Sequence, residues 1–316
     1  MTETAARPAD PEVAILMGTY RGERFVAEQL ESFRCQTHDN WSLTVSDDSD
    51  TPRTAEIIRR FARDNPGHRI SLVTGPREGF VRNFLSLLAE APNEAPFVAL
   101  SDQDDVWFPD KLARAVAALK TVPPGRPAVY CGATVICDEA LVPRGRSSRF
   151  RRAPRFRNAL VQSIGGGNTM VLNRDGADLV ARLARTSPDP VAHDWWIYQV
   201  ISGFGGEVIR DPEPVLYYRQ HDRNLIGANL SARDRMTRIR AVLAGRFKLW
   251  NTLNIAAIDP FAAEFTPDAQ AALAWYRAAR TGPWWRRIGA LWRSGAIRQS
   301  RRGTVALFIA CLLRRL

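Results

Sequence analysis

The chain reads as an α/β fold, a mixed, mainly parallel sheet with helices on both faces, and three observations predict it. Short apolar runs recur through the first 120 residues, segments of helical spacing separate them, and polar residues collect just after each run. Composition agrees: 316 residues that are 45% apolar and 9% aromatic can bury a substantial core in one large or two smaller domains.

Residues 1–12 are polar and lack the basic-then-apolar order of an export signal, so a disordered leader is expected there. Residues 13–17 form the first apolar strand, and 24–35 have helical spacing through Phe25, Leu30 and Phe33. Residues 41–46 alternate like a strand, 54–63 are helical, and 70–74 make a third strand. A helix over 80–89, a strand over 97–100 and a helix over 110–120 follow. Ligands of such sheets bind at the carboxyl edge of the strands. That edge is polar at each turn: Gly18-Thr19-Tyr20-Arg21, Asp47-Asp48, Arg77, and Asp102-Gln103-Asp104-Asp105.

The last cluster is the most informative. Three carboxylates at the end of a buried strand repel one another unless a cation lies among them. Hard oxygen ligands of this kind suit Mg²⁺ or Mn²⁺ held together with a phosphorylated ligand. The absence of GxGxxG after the first strand, and of GxxxxGK[ST] anywhere, argues against a dinucleotide-binding or P-loop site. Cys35, Cys131, Cys137 and Cys311 have no metal-ligand spacing and are expected to be reduced, buried thiols of a cytosolic protein.

Taken in order, several motifs resemble the family 2 glycosyltransferases of GT-A fold, in particular a bacterial rhamnosyltransferase-like branch. They are Gly18-Thr19-Tyr20-Arg21-Gly22, Gln29 to Phe33 with Gln36-Thr37, Val45-Ser46-Asp47-Asp48, Gly79 with Asn83-Phe84, Ser101 to Trp107, Gly167-Asn168-Thr169-Met170, His193-Asp194-Trp195-Trp196 and Tyr218-Arg219-Gln220-His221. The resemblance covers residues 13–228, the expected catalytic domain. Where the family pattern has Asp-Asp-Gly-Ser, this chain has Asp47-Asp48-Ser49-Asp50, and loss of the glycine puts the shape of that loop in question.

The resemblance implies a metal-dependent, inverting transfer of a sugar from a dTDP- or UDP-linked donor to a glycan or lipid-linked acceptor. Thr19, Tyr20, Asp47 and Asp48 would hold the base and ribose, Asp102 would lie near the ribose, and Asp104 would bind the metal. Asp105 has a second reading as a turn cap. His221 would complete the metal shell or be structural, and Arg77, Arg82 and Arg219 are candidates to neutralise diphosphate. Asp194 is the candidate base, with an N-cap role as the alternative. Trp195 and Trp196 would stack on acceptor sugars or fill a core, and Gly167 and Asn168 would border the acceptor. A phosphatase of haloacid-dehalogenase type, with Asp102 as nucleophile and Asp104 as acid/base, is the rival enzyme. A non-catalytic membrane-associated module is the third reading.

The charge is lopsided. Residues 229–316 carry 16 Lys and Arg against 4 Asp and Glu, whereas the first 228 carry 28 against 29. A neutral body with a basic, helical C-terminal region points to one anionic surface and away from nucleic acid. Trp284, Trp285, Ile288, Leu291 and Trp292 recur at helical spacing with Arg286, Arg287, Arg293 and Arg298 on the other side. This is the composition of a helix lying on a membrane, and it predicts a peripheral protein on the inner face of the cell membrane. Packing on the catalytic domain or a partner is the alternative. The apolar run 305–313 is too short to span a bilayer, which takes about 20 residues.

Overall fold

Alternate burial in the first strand explains the two-sided core. In β1 (Val13–Thr19), Val13, Ile15 and Met17 pack into one apolar cluster while Ala14 and Leu16 pack into another. A strand covered on both faces must show this pattern. The structure, a computed structural model, describes residues 10–92, 94–221 and 245–316. β2 (Trp41–Asp47), β3 (Ile70–Thr74) and β4 (Phe97–Ser101) run parallel to β1.

Five more strands complete the sheet: β5 (Val106–Trp107), β6 (Ala128–Cys137), β7 (Pro143–Arg146), β8 (Met170–Asn173) and β9 (Glu207–Arg219). Their order is β3-β2-β1-β4-β8-β6-β9-β5, with β7 beside β6. β8 is antiparallel to both β4 and β6, β9 is parallel to β6, and β5 is antiparallel to β9. The expected mixed, mainly parallel sheet is therefore present. The strand series read along the first 120 residues ends at residue 100, and the structure adds β5 to β9, β9 the longest at 13 residues. Pro212 and Pro214 interrupt its apolar pattern and cannot donate to a ladder, and the β6–β9 register shifts around Ala133, which pairs with Pro214.

α1 (Val26–Arg34), α2 (Arg53–Asp64) and α4 (Lys111–Leu119) bury Leu30, Phe33, Ile58, Leu112 and Val116 with the Val13 face. α3 (Phe80–Ala89), α5 (Phe156–Ala159), α6 (Arg174–Ala184) and α7 (His193–Gly203) cover the Leu16 face. Four C-terminal helices join that second layer: α8 (Arg246–Ile258), α9 (Pro267–Thr281), α10 (Trp284–Ser294) and α11 (Arg301–Leu312). Ile258, Leu273, Tyr276, Leu291 and Leu307 belong to the same core cluster as Leu183, Trp196 and Ile201. The described part of the basic region, residues 245–316, is thus built into the fold.

Two expectations need correction. Residues 10–12 are tied down, because Asn40 Nδ2 donates to Asp10 O and Glu12 accepts from both Ser42 Oγ and Arg69. Cys35 is exposed, unlike the other three thiols. The rest of the expected leader and the 228/229 boundary lie outside the described residues. No helix among the described residues is long and apolar enough to cross a membrane.

Candidate functional site

Parallel pairing brings the ends of β1, β2 and β4 to one edge, with Thr19 opposite Asp47 and Met17 opposite Ser101. Thr19 Oγ1 donates to Asp47 Oδ1 at 2.8 Å, and Ser49 Oγ donates to the same oxygen at 2.7 Å. Ser49 Oγ also accepts from Arg21 N at 2.7 Å. The residue that replaces the family glycine therefore ties two loops together, and its φ is not positive, so glycine's conformational freedom is not needed there. Asp48 accepts from Arg77 N at 2.9 Å, and burial raises its carboxyl above the ordinary range. Arg21 and Arg77 take left-handed φ values of 47° and 62°, conformations that cost energy and gather at functional sites. Asp47, Asp50, Thr74 and Arg77 line a cleft of about 260 Å³. Tyr20 is exposed, and Gln103 grips its backbone from both sides at 2.9 and 3.0 Å. Gln103 gave no sequence signal beyond its place between two aspartates.

The β5–β9 ladder assembles the next part. Pairing Val106 with Tyr217 carries Asp104 to His221, whose Nε2 lies 2.8 Å from Asp104 Oδ2. The His221 ring stacks on Phe25, with centroids 5.1 Å apart. Phe25 read as an apolar position of the first helix; only the tertiary structure makes it a platform. One carboxylate and one imidazole at contact distance fit a Mn²⁺ or Mg²⁺ ion whose other ligands come from a diphosphate and water. Among the described residues no group of three or more His, Cys, Asp or Glu side chains converges on a metal position.

Arg219 is corrected to a structural role. It is 2% exposed; its Nε donates to Asp104 O, another nitrogen to Glu139 O, and Nη2 to Glu28 Oε2 at 2.8 Å. A guanidinium so engaged braces the Asp104 loop instead of meeting diphosphate. Arg82 pairs with Asp189 at the surface, an exposed contact that leaves its diphosphate role open.

Asp105 is neither a metal ligand nor a turn cap. It is fully buried, accepts from Asn168 Nδ2 and Arg219 N, and burial with its acidic neighbours holds its carboxyl well above the ordinary range. Lys111 Nζ donates to Asn168 O at 2.6 Å and lies over the Trp107 ring; burial holds its ammonium well below the usual value. Asn168 therefore spends its carbonyl on Lys111 and its Nδ2 on Asp105, and it is buried rather than open to an acceptor.

Asp194 lies in the first turn of α7, inside the N-cap position held by Ala192, and because it meets a first-turn N–H the capping role stands beside the base reading. Its carboxylate accepts from the backbone N–H groups of Gly167 and Trp195, while burial pushes its pKa to about 7. Asp102 is also pushed to about 7, by burial first and then by the negative charges of Asp104 and Asp194. Gly167 touches this centre in a second way, since a Cβ there would lie 2.1 Å from His193 Nε2. Trp195 and Trp196 are corrected to core residues: Trp196 is 0% exposed, and Trp195 Nε1 donates to Ala159 O. Indoles enclosed this way offer no face to a sugar. His193, passed over as a motif residue, is buried against Phe84 with neither ring nitrogen hydrogen-bonded.

The glycosyl transferase family 2 model matches residues 14–177, just over half of the chain. The chain belongs to glycosyl transferase family 2. It is 27% identical over 238 residues to the dTDP-rhamnosyl transferase RfbG of Shigella flexneri, covering 72% of this chain and 78% of that one. It is 33% identical over 111 residues to the putative glycosyltransferase EpsE of Bacillus subtilis, spanning 35% of this chain and 39% of EpsE. Two solved structures share the GT-A fold. S. aureus TarS 1–349 in complex with UDP-GlcNAc aligns with a TM-score of 0.54 at 15% identity, over 96% of this chain and 90% of TarS 1–349. The mannosyltransferase PcManGT from Pyrobaculum calidifontis, in complex with GDP-Man and Mn²⁺, aligns at 0.52 and 20%, over 98% and 89%. The chain is therefore a glycosyltransferase. The phosphatase alternative loses its basis, because the acidic strand is fourth in this sheet.

Proposed function

We propose that this glycosyltransferase is metal-dependent and inverting, and that it moves a sugar from a dTDP- or UDP-linked donor to a glycan or lipid-linked glycan during surface polysaccharide synthesis. Rhamnose is the first donor sugar to test, given the similarity to RfbG. The observation that carries the reading is that Asp102 feels the charges of both Asp104 and Asp194, with His221 Nε2 2.8 Å from Asp104 Oδ2. A metal-capable pair and a carboxylate whose pKa is raised to about 7 thus lie within electrostatic reach of the same group.

In this reading Thr19, Tyr20, Asp47 and Asp48 receive the base and ribose, Asp102 lies by the ribose, and Arg77 approaches the diphosphate. Asp104 and His221 hold the cation. A bound Mn²⁺ or Mg²⁺ would supply Lewis-acid neutralisation of the departing diphosphate. Asp194 takes the acceptor hydroxyl proton as that oxygen bonds to the anomeric carbon from the face opposite the diphosphate. The carbon–oxygen bond to diphosphate breaks, its electron pair leaves with the nucleoside diphosphate, and the configuration inverts. The two backbone N–H groups on Asp194 orient its carboxylate for that transfer.

Calorimetry with dTDP and UDP, with and without Mn²⁺, tests the donor half. Asp104→Ala is expected to abolish the Mn²⁺-dependent part of binding, because a hard anionic ligand is lost. Unchanged affinity and metal dependence in a folded variant would refute the metal assignment. Proton NMR of the glycoside formed decides between inversion and retention.

A further inference from the structure

We propose that α10 and α11 form a docking surface for an anionic lipid bilayer. Helix α10 turns the wrong residues outward for a helix facing only water. Its inward side holds Arg287, Ala290, Leu291 and Ser294, while Trp284, Trp285 and Trp292 stand 65%, 65% and 75% exposed. On α11 a second apolar stripe, Val305, Ile309, Leu312 and Leu313, is more than half exposed at a spacing that keeps it on one side of the helix. The two helices pack together through Arg287, whose Nη1 donates to Cys311 O. Seven of the thirteen large exposed apolar side chains among the described residues therefore fall in a single helix pair. Patches of this kind mark interaction sites.

Charge selects the occupant. From residue 269 to the end the chain has no Asp or Glu, and Arg286, Arg293, Arg301, Arg302, Arg314 and Arg315 are exposed beside the apolar stripes. Indoles that enter the headgroup region, flanked by guanidiniums that stay at the phosphates, match an anionic membrane. The sequence expectation of tryptophans on one side and arginines on the other is revised accordingly. Arg287 is buried on the carbonyls of Gly282, Arg280 and Cys311, so it serves the fold, and the exposed arginines serve the surface.

The surface is linked to the proposed acceptor side. Between α10 and α11, Ile297 O accepts from Asn158 Nδ2, Arg298 Nη1 donates to Val161 O, and Gln299 bonds to the backbone of Arg151 and Arg152. The contacted stretch, residues 151–161, continues through 162–164 to Gly165-Gly166-Gly167, and the Gly167 N–H bonds to Asp194. Docking would bring the transfer site to a lipid-linked acceptor.

The test is co-sedimentation of the full chain with vesicles of phosphatidylcholine alone or with about one-third phosphatidylglycerol, at 0.1 and 1 M NaCl. The protein is expected to sediment with anionic vesicles at low salt and to lose at least about tenfold in affinity at high salt, as the Debye length falls from about 10 to about 3 Å. Trp284→Ser/Trp285→Ser/Trp292→Ser and, separately, Arg301→Glu/Arg302→Glu are expected to reduce binding by a similar factor, with nucleoside diphosphate affinity unchanged. Failure of the wild-type chain to bind anionic vesicles, or equal binding by the tryptophan variant, overturns the proposal. So does sedimentation velocity showing a wild-type dimer that the variant abolishes while vesicle binding is absent, since the face then joins two copies. Nucleotide binding in the same samples keeps a failed donor site distinct from a failed membrane site.

Discussion

Asp194 is a carboxylate with two opposed demands on it. Two backbone N–H groups favour its charged form, but burial outweighs them and its pKa rises to about 7. A base must be ionised, so turnover is expected to fall as pH drops below about 7. Asp194→Asn keeps the shape and removes the base; a loss of at least about 100-fold at saturating donor and acceptor is expected. Near-normal turnover would make the residue structural. The same shift has a thermodynamic signature. Between 3.8, its ordinary value, and about 7, the folded protein keeps a proton that the unfolded chain releases, so this group's contribution to stability falls as pH rises. Burial lowers the His193 pKa to about 3, so His193 acts in the opposite direction below 6.5. Measured against wild type, Asp194→Asn should gain in Tm as pH goes from 4 to 7, because His193 is common to both; a constant difference would show an unperturbed carboxyl. At Gly167 the constraint is steric. Gly167→Ala would drive a methyl group into the His193 ring, and a loss of about 1–3 kcal/mol by denaturant unfolding is expected. Unchanged stability would show that the ring has room to turn aside.

Among elements, the short β5 strand has consequences beyond its two residues. By pairing with β9 it places Asp104 beside His221 and Asp105 beside Arg219, uniting groups more than 110 positions apart. Asp105, Asn168 and Lys111 then fasten the acidic loop to the glycine segment beneath Asp194. In the C-terminal layer Arg287 plays the comparable part, closing α9, α10 and α11 around three carbonyl oxygens. Arg287→Ala would take the donor from the Arg280 and Gly282 carbonyls, while Cys311 O keeps Arg314 N, and a loss of more than about 2 kcal/mol is expected. Thermal and urea unfolding check this. A surface arginine would cost almost nothing, so an unchanged midpoint would contradict the observed burial.

For the whole molecule, the decisive feature is one core that runs from the sheet into the C-terminal helices. Leu291 and Leu307 are as deeply buried as Leu172 or Ile201 of the catalytic sheet and its covering helix. A chain ending at residue 282 would uncover the surfaces that α10 and α11 protect, and it is expected to melt at lower temperature or aggregate. A truncated protein with wild-type Tm would instead show that these helices are dispensable to the fold.

The periodicity of the first 120 residues was enough for the α/β class, because strands buried on both faces must be apolar throughout and the intervening helices must be amphipathic. The ordered motifs likewise identified the family and brought Asp104, His221 and Asp194 to notice, since their chemistry is written in residue type. Side-chain direction was not legible. Arg219, Asn168, Trp195 and Trp196 have the composition of ligand-binding residues, yet each is turned inward, and only the β5–β9 pairing and the packing of α7 decide that. Gln103 and Phe25 became site residues for the converse reason: their roles depend on neighbours distant in sequence. In α10 the sequence established that one helix holds both tryptophans and arginines. Which of them would face the core depended on the carbonyls available to Arg287, and the tertiary structure left the indoles outside.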